Sequence, residues 1–134
     1  MKKLIVKIFY TSPNDESLPA STSYITFFTA MLFGCNYCNF KGRASRKEWW
    51  GVHWLDFWFS LSIYGFVYQW FPNYLEVTDI IYILYTIIPF SALMVRRSHD
   101  INLNPLWCLS VIPIFLLPFM KGENKDNRYG KNIY

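Results

Sequence analysis

Two long apolar runs fill the middle of the chain, Trp49–Phe71 and Ile80–Val95, and a third, Leu106–Met120, follows them. Phe71-Pro72-Asn73 closes the first run, Glu76 and Asp79 precede the second, and Arg96-Arg97-Ser98-His99-Asp100 closes it. The first run is predicted to be a helix that starts at Ser45-Arg46-Lys47-Glu48, which has the spacing of a capping box. In that arrangement the Ser45 hydroxyl accepts from the Glu48 N–H, and the Glu48 side chain reaches back to the Ser45 N–H. At about 1.5 Å per residue the run exceeds ~30 Å, enough for the hydrocarbon core of a bilayer. Trp49, Trp50 and Trp54 then fall at headgroup depth, where amphipathic rings settle. The second run is shorter and needs Leu75–Asp79 or local bilayer thinning to cross. Pro89 is expected to bend it and free a carbonyl one turn earlier, with the Ser91 hydroxyl close to that defect.

The third run corresponds to only about 22 Å of helix, short of the ~30 Å core. Pro113 and Pro118 interrupt it, so a short or re-entrant segment is expected. Upstream, Tyr24–Phe40 is apolar, aromatic and uncharged, but contains Gly34 and Asn36. It reads as an interfacial helix with Phe27, Phe28, Met31 and Leu32 turned to lipid. Residues 1–10 form an apolar-basic arm, and Lys7 breaks its apolar stretch too early for a signal peptide. Thr11–Ser23 is a polar linker. The pattern predicts an all-α, small polytopic helical membrane protein: an interfacial helix, two spans and a third short or re-entrant apolar segment. Residues 1–23 are the arm and linker, 24–132 the membrane domain, and 133–134 the C-terminal end.

Charge gives the hairpin an orientation. From Glu48 to Val95 there is no Lys or Arg, whereas Lys41, Arg43, Arg46 and Lys47 crowd one edge and Arg96 and Arg97 the other. Such a pattern holds both ends of a hairpin on the cytoplasmic side. The tail adds Lys121, Lys125, Arg128 and Lys131, which a third full span would carry outside, against the same bias. The chain has 134 residues, 53% of them hydrophobic and 21% aromatic, more apolar surface than so small an interior can hide. Its net charge of +4 sits at the ends of apolar runs and not on a continuous polar face. Anionic lipid headgroups are therefore the expected partner, and nucleic acid is not. Cys35, Cys38 and Cys108 are odd in number, which argues against a disulfide framework.

The candidate chemistry is sparse. His53, Asp56 and Ser60 share a helix face that continues through Tyr64 and Tyr68. A carboxylate inside a span marks either a polar contact, with His53, Arg96 or Arg97 as partner, or a proton or ion relay. His99 and Asp100 could act as an acid–base pair, but no nucleophile or second ligand cluster stands nearby. Structural or phosphate-contacting use is the simpler reading for Arg96-Arg97-Ser98-His99-Asp100. Cys35 and Cys38 have zinc or redox spacing without a second pair, so neither a metal nor a cofactor is expected. Arg43 and Arg46 flank a helix start, where a phosphate suits both the guanidinium forks and the helix end. Asn127-Arg128-Tyr129-Gly130 could fold back onto the same basic surface.

Phe40-Lys-Gly-Arg-Ala-Ser-Arg-Lys-Glu-Trp-Trp50, Arg96-Arg-Ser-His-Asp-Ile101, Ile112-Pro113 and Gly122…Asp126-Asn-Arg-Tyr-Gly130 occur in an order that resembles the family named domain of unknown function 805. The resemblance covers about Tyr24 to Asn132. It implies a small, polytopic bacterial inner-membrane protein and adds no reaction. Gly42, Arg43, Ser45, Arg46 and Glu48 match its first motif, Arg96, Arg97, His99 and Asp100 its second, and Asn127, Arg128, Tyr129 and Gly130 its third. Asp56 stands where that family often has Asn, which favours a polar structural contact. The chain departs from it at Ser98, at Asn102–Trp107 and at Lys131.

Taken together, these features predict a non-catalytic envelope protein. Arg43, Arg46, Arg96, Arg97, His99, Asp100 and Arg128 are its expected contacts to headgroups or a partner, and Ser45, Glu48, Asp56, Asn127 and Tyr129 its structural polar residues. Its partners would be membrane lipids, a second copy or another membrane protein. The alternatives are a small transporter or channel subunit using the His53–Asp56–Ser60 face, or an enzyme acting on a phosphorylated lipid through His99 and Asp100.

Overall fold

The computed structural model describes residues 17–33, 36–106 and 116–134. These form three α-helices, α1 (Tyr24–Leu32), α2 (Arg46–Trp70) and α3 (Leu75–Asp100), with a 3-10 turn at Pro72–Tyr74 joining the last two. The N-terminal arm, Cys35, Cys108, Pro113 and most of the third apolar run lie outside the described residues.

The signals that bound α2 are local. Ser45 is extended, at φ −71° and ψ 161°, and its hydroxyl accepts from the Glu48 N–H at 3.0 Å. The reciprocal half of the capping box is absent, because the Glu48 carboxylate turns inward to Arg96 at 2.7 Å. Trp70 is the last helical residue, and Pro72 opens the turn that reverses the chain into α3. At its far end α3 closes with a Schellman pattern. Leu103 N–H bonds the Ser98 carbonyl at 3.0 Å, Asn102 N–H bonds the His99 carbonyl at 3.1 Å, and Asn102 takes the left-handed conformation at φ +58°.

Pro89 sits inside α3 without ending it. Its missing N–H leaves the Tyr85 carbonyl without its helical donor. The expected rescuer was Ser91, but the Ser91 hydroxyl bonds the Ile87 carbonyl at 2.6 Å. The Tyr37 hydroxyl, from the loop after α1, donates to Tyr85 O at 2.8 Å instead. The Tyr85 hydroxyl in turn donates to Leu32 O, a carbonyl at the end of α1, at 2.5 Å. Two tyrosines thus stitch α1 and its loop to the proline defect. Tyr37→Phe is expected to cost about 1–3 kcal/mol by leaving that carbonyl unpaired. In a Pro89→Ala background the same change should cost much less, since residue 89 then supplies the N–H. Thermal unfolding of the four proteins in detergent measures this cycle.

One expectation is corrected in α1. Phe27, Met31 and Leu32 are buried, packed with Trp49, Val52 and Leu93, and Phe28 is partly buried against the same cluster. Tyr24, Ile25 and Phe33 face outward instead. The reason is position: α1 lies against both helices of the hairpin, so its apolar side chains find protein before lipid. Each such burial is worth about 1.5–3 kcal/mol. With nine residues α1 is also far too short to span a bilayer.

Of the described helices, one is long and apolar enough to cross a membrane, running with its leading turn over Pro72–Asp100. α2 has 25 residues, but its tryptophans, tyrosines, His53 and Asp56 lower its mean hydropathy. Both helices nonetheless leave large apolar side chains uncovered, among them Trp54, Phe57, Trp58, Leu61 and Phe66 on α2 and Ile80, Ile81, Ile83, Leu84 and Ile87 on α3. Soluble monomers rarely expose a contiguous surface of this kind.

Candidate functional site

A polar cap closes the base of the hairpin, where the start of α2 meets the end of α3. Asp100 is its centre and is fully buried. Arg43 approaches from the loop before α2, with Nε donating to Asp100 Oδ1 at 3.0 Å and Nη2 2.9 Å from the same oxygen. Arg97, one helical turn back on α3, donates from Nη1 to Asp100 Oδ2, and the Tyr134 hydroxyl donates to Oδ2 at 2.5 Å. A separate buried pair joins Arg96 Nη1 to Glu48 Oε1 at 2.7 Å and so ties α3 directly to α2. Three buried guanidinium groups therefore face two carboxylates, and backbone carbonyls take up the remaining donors of Arg43 and Arg97.

Most of those carbonyls belong to the C-terminal segment. Arg43 donates to Lys125 O at 2.8 Å, to Lys131 O at 3.3 Å and to Glu123 O. Arg97 donates to Leu117 O at 3.0 Å, to Met120 O, and to Ala44 O at 3.2 Å. Further backbone bonds run from Glu123 N to Asp100 O at 3.0 Å and from Ala20 N to Ile133 O at 2.9 Å. Gly122 has to be glycine here, because a Cβ at that position would run into the Asp100 carboxylate and the Tyr134 hydroxyl. Burial and the hydrogen bond to Asp100 both push the Tyr134 hydroxyl above its ordinary pKa, so it remains a donor at physiological pH.

Asn127–Gly130 makes a tight turn, with backbone bonds in both directions at 3.1 Å. The Asn127 side chain accepts from Tyr129 N–H at 3.0 Å and donates to His99 O at 2.9 Å. The turn thereby lays Tyr129 flat on the His99 imidazole, with ring centroids 3.9 Å apart and planes 13° from parallel. His99 Nδ1 lies 2.9 Å from Gly42 O. The His99–Asp100 pair accordingly does not form an acid–base couple: the carboxylate serves Arg43, Arg97 and Tyr134, and the imidazole is a plate between Gly42 and Tyr129.

The three motifs thus converge at one end of the molecule. Arg43, Arg96, Arg97, His99 and Asp100, expected to face headgroups, are instead buried inside the cap. The physical reason is pairing. A guanidinium and a carboxylate on neighbouring elements satisfy each other away from water, and sequence order conceals that neighbourhood. Arg46 and Arg128 do face outward. Arg128 rests over the Tyr129 ring at 4.6 Å and donates to Asn102 O at 3.3 Å. Ser45 and Glu48 make the helix-start and ion-pair contacts, and Asn127 and Tyr129 the turn and ring contacts, described above.

Deeper in the hairpin, Asp56 accepts from the Tyr82 hydroxyl at 2.5 Å. Its neighbours on the face are engaged locally. His53 Nδ1 lies 2.8 Å from Trp49 O, and the Ser60 hydroxyl donates to Phe57 O at 2.9 Å. His53 also stacks on Trp49 and meets the edge of Phe90. Asp56–Tyr82 is thus a cross-helix clamp, continued by an edge-to-face contact of Tyr64 with Tyr82. Sequence reasoning missed Tyr37, Tyr82 and Tyr134. The signal for Tyr82 was present: a carboxylate within a long apolar run needs a donor, and the facing run carries tyrosines. Among the described residues no group of three or more His, Cys, Asp or Glu could hold a metal ion.

A helical hairpin with an uncovered apolar girdle and a polar cap at one end defines a small helical membrane protein. The chain belongs to the DUF805 family, described as a protein of unknown function, whose profile matches residues 37–131. It is similar to inner membrane protein YhaI of Escherichia coli strain K12, at 30% identity over 112 residues covering 72% of this chain and 87% of that protein. It is also similar to inner membrane protein YhaH of the same strain, at 33% identity over 109 residues covering 71% of this chain and 87% of that protein. No solved structure matches it. The chain is accordingly an inner membrane protein of a family without an assigned activity.

Proposed function

We propose that the α2–α3 hairpin crosses the inner membrane twice with its cap on the cytoplasmic side. In this reading the chain is a non-catalytic envelope protein whose outer basic residues hold anionic lipid headgroups. The division of its cations carries the reading. Arg43, Arg96 and Arg97 are buried in ion pairs, whereas Arg46, Lys47, Lys121 and Arg128, at the same end, form no ion pair among the described residues. They stand where the apolar girdle ends, at the level a headgroup layer would occupy. Each basic side chain near an anionic surface contributes about 1 kcal/mol, roughly a fivefold preference.

The test uses the full chain reconstituted in bilayers of mixed phosphatidylglycerol and phosphatidylcholine. Quenching of its tryptophans by brominated forms of each lipid reports which one surrounds it. The expected result is enrichment of the anionic lipid that declines as salt rises, because exposed charges are screened over about 10 Å at 0.1 M. Equal quenching by both lipids at low salt would remove the headgroup reading.

A further inference from the structure

Two clefts open side by side on the outer face of α2. The first, of about 390 Å³, is lined by Arg46, Lys47, Tyr24, Trp50, Pro118 and Phe119. The second, of about 380 Å³, is lined by Trp50, Gly51, Trp54, Leu55 and Tyr24. They share Tyr24 and Trp50, so they form one path that changes character along the helix axis. The cationic end is level with the cap, and the apolar end lies one to two turns farther into the girdle. From Arg46 to Leu55 the helix rises about 14 Å, at ~1.5 Å per residue.

Three separate segments build this path. Tyr24 comes from the first turn of α1, and Pro118 and Phe119 come from the turn whose carbonyls Arg97 anchors. Phe119 meets Trp50 edge to face at 5.7 Å, and Lys47 lies over the Tyr24 ring at 5.1 Å. Gly51 lets α1 approach this closely, since a Cβ there would strike the Tyr24 ring. The two cations have no carboxylate partner among the described residues, and the apolar half is continuous with the exposed girdle through Trp54.

We propose that this path is a binding site for one anionic phospholipid of the cytoplasmic leaflet. Arg46 and Lys47 take the phosphodiester, by a guanidinium fork and a point charge respectively. Trp50 and Tyr24 flank the glycerol region, and one acyl chain lies along Gly51, Trp54 and Leu55. Charge complementarity selects the headgroup, and the order of the two clefts matches the order of a lipid from headgroup to chain. The site rests on the membrane orientation and headgroup reading proposed above, and it adds a single, saturable position to that general preference.

Native mass spectrometry of the purified full chain, titrated with an equimolar mixture of phosphatidylglycerol and phosphatidylcholine, tests it. The expected result is retention of one phosphatidylglycerol per chain at low lipid. Arg46→Gln with Lys47→Gln should weaken that retention at least tenfold. Trp54→Ala, which alters an exposed side chain and leaves the packed core intact, should weaken it severalfold. Unsaturable enrichment of phosphatidylglycerol that Trp54→Ala does not change would overturn the site and leave the headgroup reading standing. No preference between the lipids would overturn both. Displacement of the bound lipid by equimolar glycerol phosphate, with Trp54→Ala silent, would show a phosphate site and overturn the lipid as its occupant.

Discussion

Asp100→Ala is expected to cost about 3–5 kcal/mol and to release the C-terminal segment from the hairpin, because removing one partner of a buried pair leaves an uncompensated charge. The case is stronger at Asp100 than at an ordinary ion pair. One carboxylate serves two guanidinium groups and the Tyr134 hydroxyl, all in a fully buried setting. Its loss strands Arg43 and Arg97 together, at a place where both also hold the carbonyls of Leu117–Lys131. Asp100→Asn keeps the shape but not the charge, and should recover little of the loss. Removing the charges together is the informative control. Asp100→Leu combined with Arg43→Met and Arg97→Met should be less damaging than Asp100→Ala, since no buried charge is then left unpaired and apolar replacements of similar volume are often neutral. Thermal unfolding in detergent gives the stability, and protease cleavage at Lys121 and Lys125 reports whether the tail has come free. A melting temperature unchanged in Asp100→Ala, with the tail still protected, would mean that the cap does not hold the fold together.

The same geometry explains what the sequence disclosed and what it hid. Helix limits were legible because their signals are local: Ser45 caps α2 through its own neighbour, and Pro72 cannot continue it. Membrane residence was legible because the absence of Lys and Arg between Lys47 and Arg96, along two long apolar runs, is a linear property. The fate of the arginines was not. Arg43 and Asp100 are 57 residues apart, and nothing in either motif names the other as partner. An arginine beside a helix start reads as a phosphate ligand until the fold supplies a carboxylate. The error in α1 has a different cause. In Tyr24–Leu32 apolar residues are spread around the helix, so composition announces burial without saying whether protein or lipid provides it. Tyr37 was hidden for a third reason. The carbonyl freed by Pro89 could be foreseen, but its donor comes from a loop 48 residues away and not from the adjacent turn. Asp56 is expected to pair with His53, Arg96 or Arg97, and its hydrogen bond instead comes from a tyrosine on α3.

The proposed topology predicts on which side of the membrane each end of the hairpin lies. A single cysteine placed after Tyr134, in a chain whose Cys35, Cys38 and Cys108 are serine, is expected to be protected from an impermeant maleimide in intact cells. It should react fully on lysis. A cysteine at Asn73, in the α2–α3 turn, should behave the opposite way. Leu103 is bonded to Ser98 at the end of α3, and Leu117 is bonded to Arg97 at the same end. Both flanks of the third apolar run therefore sit at the cap. The tail must then lie on the side of Arg43, Arg97 and Asp100, together with its own lysines, in agreement with the positive-inside bias. Labelling of the C-terminal cysteine in intact cells, with Asn73→Cys protected, would invert the hairpin and put the basic cap outside. Labelling of both in intact cells would mean that the tail leaves the cap in the membrane, and the buried contacts of Asp100 would then have to be absent from the protein in cells.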